Sequence, residues 1–255
     1  MLRGHRGGAA HRSLERWLAA WAWPLRSHVS FIHLARRIWQ RHRFSVPLSL
    51  ASAMFFARLA WEVQKNELDA FDAAAQKLVD GWRGPCDELM VFLTTAGSAP
   101  PMVLLVTAIL VLLSAAGRNR EARFLLLSSA GCLVLNVLLK LAFQRARPHA
   151  EPAYLLPRPS SLSFPSGHTM GSAGALGSLA VVVRVLGPRR AVWLSVAVVC
   201  VLMILGVALS RVYLGAHYPS DVLGGLFAAA SWISAITGWF YPRLLPHERT
   251  TPAAR

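Results

Sequence analysis

The sequence predicts an all-α fold, a six-transmembrane-helix bundle preceded by an amphipathic helix at the membrane interface. Three observations carry this. Of 255 residues, 55% are hydrophobic and only 15% charged, with a mean hydropathy of +0.42, too apolar for an ordinary soluble domain. Six apolar runs recur from residue 44 onward, bounded by charges, Gly or Pro, each near the ~20 residues that cross a bilayer at about 1.5 Å of rise per residue. The connections between them alternate between strongly basic and not.

The elements follow in order. Residues 1–43 form a basic, Trp- and Arg-rich arm in which Trp17, Trp21, Trp23 and Trp39 are mixed with arginines, a composition suited to a helix lying among headgroups. Nine of the 27 Lys and Arg residues precede residue 44, against Glu15 alone. A basic arm beside a span reports topology before it reports nucleic acid, and no nucleic-acid partner is expected. The spans run over 44–61, 98–117, 122–143, 166–186, 190–209 and 219–241, within a membrane domain of 44–243 followed by a tail, 244–255. The first is the weakest, because Arg58 interrupts it and must snorkel to the interface. Residues 62–82 carry Glu62, Glu67, Asp69, Asp72 and Asp80 against Lys65 and Lys77, the pattern of an exposed amphipathic segment.

Arg118, Arg120 and Arg123 flank one connection, Arg184, Arg189 and Arg190 another, and Arg243, Arg249 and Arg255 the tail. The positive-inside rule puts these, with the arm, in the cytoplasm. Residues 62–82, 144–165 and 210–221 then face outward, and both termini lie inside. Cys86, Cys132 and Cys200 are odd in number, two of them within apolar runs, and imply neither a disulfide framework nor a metal site. No cleavable signal peptide is visible.

Three chemically unusual clusters fall on the outward side. In KLAFQRARP (140–148), Lys140 and Arg147 are seven residues apart, two helical turns if the helix persists to Pro148. In FPSGH (164–168), Ser166 is placed to cap the fourth span, Gly167 leaves the backbone open, and the first amides of that helix attract an anion, with His168 in its first turn. In SRVYLGAHYPSD (210–221), His217 and Asp221 are four apart, so the carboxylate can fix the imidazole tautomer and free the other nitrogen as nucleophile or base. Arg211 adds a planar fork suited to phosphate. Each cluster alone has a bland reading: snorkelling cations, a capped helix start, a polar hairpin. Together they form a phosphate pocket with a nucleophile and an acid. After Glu121 the only carboxylates before the tail are Glu151 and Asp221, too few for an oxygen cage around Mg²⁺ or Ca²⁺. A zinc site from His149, His168 and His217 would sit beside three cations that repel it. No metal and no cofactor are expected.

The triple K-x6-R-P, P-S-G-H and S-R-x5-H-x3-D, read at Lys140–Pro148, Pro165–His168 and Ser210–Asp221, resembles the signature of the type 2 phosphatidic acid phosphatase superfamily, in order and in internal spacing. The resemblance extends over residues 95–240 and leaves the N-terminal arm unexplained. It implies a metal-independent phosphatase. Lys140, Arg147 and Arg211 would bind the phosphate oxygens, with hydrogen bonds from Ser166 and Gly167. His217 would attack phosphorus to form a phosphohistidine, Asp221 would orient it, and His168 would protonate the leaving oxygen.

A pocket at the outer boundary suits a lipid phosphate: phosphatidic acid, phosphatidylglycerol phosphate, undecaprenyl diphosphate or a lipid A phosphate. The Arg- and Ala-rich composition hints at a bacterial inner membrane with a periplasmic site. Soluble acid phosphatases and vanadium haloperoxidases share the motifs, and the spans argue against both. A lipid or anion transporter is the rival of another class, but such sites lie near the midplane on repeated halves, and no repeat is visible.

Overall fold

A computed structural model describes residues 44–148 and 162–241. The arm (1–43), the tail and His149 lie outside the described residues. Among the described residues eight helices follow one another: α1 (Ser45–Gln64), α2 (Asp69–Asp80), α3 (Asp87–Ala96), α4 (Ala99–Ala115), α5 (Asn119–Phe143), α6 (Gly167–Leu186), α7 (Arg190–Tyr213) and α8 (Pro219–Phe240). Five are long and apolar enough to cross a membrane, α1, α5, α6, α7 and α8, and a sixth span results if α3 and α4, bent by 49° at their junction, count as one. The chain is therefore an all-helical membrane bundle, as its hydropathy predicts.

Local chemistry sets the ends. α4 starts at Ser98 in extended conformation, followed by Ala99, Pro100 and Pro101, prolines being tolerated where the first-turn amides have no partner. α8 likewise starts with Pro219, after Tyr218 in extended conformation. The expected bounds of spans three to six agree with α5 to α8 to within a few residues, except that α7 continues to Tyr213 and takes Arg211 into its last turn. The sequence reading passed over α3 altogether.

α6 is the most enclosed of the five spans, with half of its apolar window buried. Its middle, Ala173–Gly177, widens to a π-helical turn. A Cβ on Gly174 would lie 2.8 Å from the Cβ of Cys132 on α5, so the close approach of α5 and α6 requires glycine there. Around α6, Cys132, Met170, Ala173, Ala228 and Ala229 form one apolar cluster. A second, with Phe124, Leu125 and Val182, closes the opposite end of the bundle. Leu104, Leu112, Val134, Leu138, Leu202 and Trp239 point outward, all more than half exposed, as a lipid-facing surface must.

Direction of travel fixes what shares an end. Lys140 is near the C-terminus of α5, His168 at the N-terminus of α6, Arg211 near the C-terminus of α7 and Asp221 at the N-terminus of α8. These four helix ends meet. The basic turns occupy the other end, where Arg120 donates to the carbonyl of Phe240 and stacks over the Tyr241 ring, and Arg184 lies 5.3 Å from the Trp193 ring centre.

Candidate active site

α5 ends earlier than the spacing of Lys140 and Arg147 suggested. Its last helical residue is Phe143, and Gln144 turns left-handed at φ 47°, ψ 28°. The two cations therefore do not share a helical face. Lys140 reaches the site from the helix, donating to the carbonyls of Leu162 and, at 3.4 Å, Ser163. Arg145 and Arg147 reach it from the non-helical strand of chain that follows.

His217 and Asp221 are almost completely buried. His217 precedes the cap residue Tyr218, so it stands just outside α8, while Asp221 occupies its first turn. The Asp221 Oδ2 lies 3.4 Å from His217 Nδ1 and accepts from the Tyr218 amide at 3.0 Å. It also accepts from the Ser163 hydroxyl. The other oxygen, Oδ1, accepts from Arg145 Nη1 at 2.8 Å. With Nδ1 facing the carboxylate, the proton belongs on Nδ1, and Nε2 is left with its lone pair toward the site. Arg147 Nη1 lies 3.1 Å from that Nε2 and 2.6 Å from the Ala216 carbonyl.

Burial pushes the His217 pKa down to about 3, partly opposed by the hydrogen bond and charge of Asp221 and reinforced by Arg147 and Arg211. The imidazole is thus neutral at pH 7, the form that can act as a nucleophile. Burial also lowers the Arg147 pKa, with Asp221 opposing. For Arg145 burial opposes the charge, but Asp221 and the hydrogen bonds to Asp72 and Asp221 outweigh it and raise the pKa.

Arg211 is 4% exposed, and its Nη1 donates to Thr94 Oγ1 of α3 at 2.5 Å. Its Nε is buried and has no hydrogen-bond partner, an arrangement expected of a donor that awaits an acceptor. Ser166 takes the predicted cap position, but its hydroxyl accepts from the Thr169 hydroxyl at 3.0 Å and bonds no helix amide. Its own amide donates to the Asp221 carbonyl at 3.0 Å, tying the starts of α6 and α8 together. A Cβ on Gly225 would meet the Ser166 carbonyl at 3.0 Å, so that junction too depends on a missing side chain. Asn136 of α5 donates to the Pro165 carbonyl at 3.1 Å and steadies the turn before Gly167.

The structure brings the predicted residues together. Arg147 reaches His217, a Cβ on Gly167 would lie 3.9 Å from Lys140 Cε, and the Ser166 amide bonds the Asp221 carbonyl. Four neighbours went unpredicted: Arg145, Ser163, Thr94 and Asp72. Asp72 corrects the expectation of an exposed 62–82 segment, because it is 2% exposed and its α2 docks on the site. Asp72 Oδ2 accepts from Arg145 Nη2 at 2.8 Å and from the Ser220 hydroxyl at 2.6 Å, and Oδ1 from the Ser220 amide at 2.8 Å. Among the described residues no three His, Cys, Asp or Glu side chains gather as a metal site.

The arrangement gathers cations around a neutral imidazole, chemistry suited to holding a phosphoryl group. Residues 121–244 match the family model of the PAP2 superfamily. Phosphatidylglycerophosphatase B of Bacillus subtilis (strain 168) is 32% identical over 185 residues, 70% of this chain and 87% of that protein. An undecaprenyl-diphosphatase of Sulfolobus acidocaldarius is 33% identical over 153 residues, 58% of this chain and 68% of the relative. Among solved structures, the transmembrane PAP2-type phosphatidylglycerolphosphate phosphatase from Bacillus subtilis superposes with a TM-score of 0.66 at 27% identity, covering 75% of this chain and 95% of that one. With the fold, the three motifs and these relatives in agreement, the chain belongs to the PAP2 superfamily and is an integral-membrane phosphatase.

Proposed function

We propose that the protein hydrolyses the phosphate or diphosphate of a membrane lipid through a phosphohistidine on His217, without a metal. The observation that carries this is the His217 imidazole, buried and neutral, oriented by Asp221 on Nδ1 and directed through Nε2 to a space bounded by Arg147. Lys140, Arg147 and the free Nε of Arg211 supply positive charge to the equatorial oxygens, and the start of α6 at Gly167 supplies its dipole and first-turn amides. His217 Nε2 attacks phosphorus as the P–O bond to the lipid breaks, and His168 gives its proton to the leaving oxygen. Water then attacks phosphorus, yields a proton to His168, and breaks the P–N bond to release inorganic phosphate. The Asp221 carboxylate stabilises the imidazolium character of the intermediate throughout.

The substrate reading rests on the position of the site at one end of the spans, where a lipid headgroup rests, and on relatives named for phosphatidylglycerophosphate and undecaprenyl diphosphate. Phosphatidic acid, phosphatidylglycerol phosphate and undecaprenyl diphosphate are the substrate candidates. The basic turns at the opposite helix ends support an arrangement in the bacterial inner membrane with cytoplasmic termini and a periplasmic site.

The test is phosphate release by the purified protein in detergent from each of these three lipids, with and without EDTA. Release from at least one, undiminished by EDTA, is expected. No release from any of them, or loss that added metal restores, overturns the proposal.

A further inference from the structure

Asp221 does not stand alone. Its Oδ1 is held by Arg145, and Arg145 is held on its far side by Asp72 of α2, so one guanidinium bridges two buried carboxylates at 2.8 Å each. Ser220, next to Asp221, closes the circuit: its hydroxyl accepts from Arg145 at 2.7 Å and donates to Asp72, and its amide donates to Asp72 as well. Arg145 also lies 4.1 Å from the Tyr218 ring centre, so both ends of the Tyr218–Asp221 turn are pinned. α2 precedes the residues that match the family model.

We infer that Asp72 is a positioning residue for the Asp221–His217 pair, acting through Arg145 and Ser220. Two consequences of its charge follow from the geometry. Arg145 forks between two anions, so the pair with Asp72 tethers it beside Asp221, and leaving the site would strip both buried carboxylates of their counter-charge. Because Arg145 divides its attraction between them, Asp221 is not fully neutralised and keeps the negative charge that orients His217 Nδ1. Asp72 also anchors the Ser220 amide, which sets the start of α8 and hence the approach of Asp221 Oδ2 to the imidazole. Asp72 does not face His217, so its removal leaves the phosphate-binding cations in place. The loss should therefore appear in turnover and not in substrate affinity.

This inference rests on Asp221 being the partner of a nucleophilic His217. The experiment compares Asp72→Asn, Asp72→Glu, Arg145→Gln, the double variant Asp72→Asn/Arg145→Gln, and Asp221→Asn in detergent, on whichever of the three lipids the wild-type protein hydrolyses, each scored per folded protein by size-exclusion profile and Tm. Asp72→Asn should lower kcat on the order of tenfold to a hundredfold, the range for outer partners that orient an active group, with KM within about threefold. Asp72→Glu should recover part of that turnover, and the double variant should be no slower than Arg145→Gln alone. Wild-type turnover in Asp72→Asn overturns the inference, as does a loss confined to KM, a Glu variant no better than Asn, or fully additive losses in the double variant. Should Asp72→Asn not fold, Ser220→Ala, which removes only the bridging hydroxyl, must itself lower kcat at constant KM. Failure here with Asp221→Asn inactive sinks the Asp72 role alone, whereas an active Asp221→Asn sinks the mechanism beneath it.

Discussion

Asp221→Asn exchanges one oxygen for an NH₂ at a position where every described neighbour donates. Oδ1 accepts from Arg145 at 2.8 Å, and Oδ2 accepts from the Tyr218 amide at 3.0 Å and faces His217 Nδ1 at 3.4 Å. An amide placed toward Arg145 sets donor against donor. Placed the other way, it confronts the Tyr218 N–H and can be accommodated at His217 only if the imidazole moves its proton to Nε2. That tautomer has no lone pair facing the phosphoryl group. Both flips also leave Arg145 with one anion in place of two, and breaking a buried pair costs about 3–5 kcal/mol. Part of that is offset because Asp72 remains. Turnover, measured as phosphate release per folded protein, should fall about 10²–10⁴-fold, the usual contribution of a positioned proton-transfer or orienting group. KM should change little, because Lys140, Arg147 and Arg211 are untouched. A variant that folds and retains turnover within tenfold of wild type would refute the reasoning.

Other outcomes are equally specific. His217→Ala should give no acid-labile phosphoprotein when substrate carrying radioactive phosphate is mixed with enzyme and quenched in alkali; labelling at wild-type level would place the nucleophile elsewhere. The depressed pKa of His217 has a stability consequence. Between about pH 3 and 6.5 the unfolded chain takes up a proton there that the native imidazole refuses, so stability from this residue is full above 6.5 and is lost as pH falls, by about 1.4 kcal/mol per pH unit. Tm measured in detergent across that window should therefore fall less steeply for His217→Gln than for wild type. Gly225→Ala puts a methyl 3.0 Å from the Ser166 carbonyl and 3.3 Å from Thr169 Cβ. Backbone cannot yield as a flexible side chain does, so Tm should drop by a few degrees, consistent with a cost of about 1–3 kcal/mol, and turnover should drop with it.

Much of this molecule is legible in its residues, for a physical reason. A lipid environment forces apolar runs of nearly fixed length, so each of the six expected spans has its helix in the structure, α1 and α4 to α8, with ends within about four residues of expectation; α4 alone needs α3 to complete a crossing. The element that none of the expected spans covers, α3, is too short to announce itself by hydropathy; it packs on α7 and is bent by 49° against α4. The eight candidate site residues were marked by unusual chemistry beside apolar sequence. What remained hidden were groups whose surroundings alone make them special. Asp72 is one of five acids in a polar stretch, and nothing in the pattern separates the buried one from its exposed neighbours. Arg145 stands two residues before Arg147 and draws no attention until Asp221 is seen against it. Thr94 gains meaning only from the buried guanidinium it receives. The helical placement of Arg147 failed for a related reason, since the chain leaves the helix well before Pro148.

That early departure reaches further than one misplaced side chain. Gln144 is exposed, yet its positive φ decides where the helical scaffold ends and the segment that carries Arg145 and Arg147 begins. A single backbone torsion thereby aims two arginines at different targets, one at a pair of carboxylates and the other at an imidazole. A β-branched residue, which resists the left-handed region, would redirect both at once from a surface position that no survey of pocket-lining residues would select.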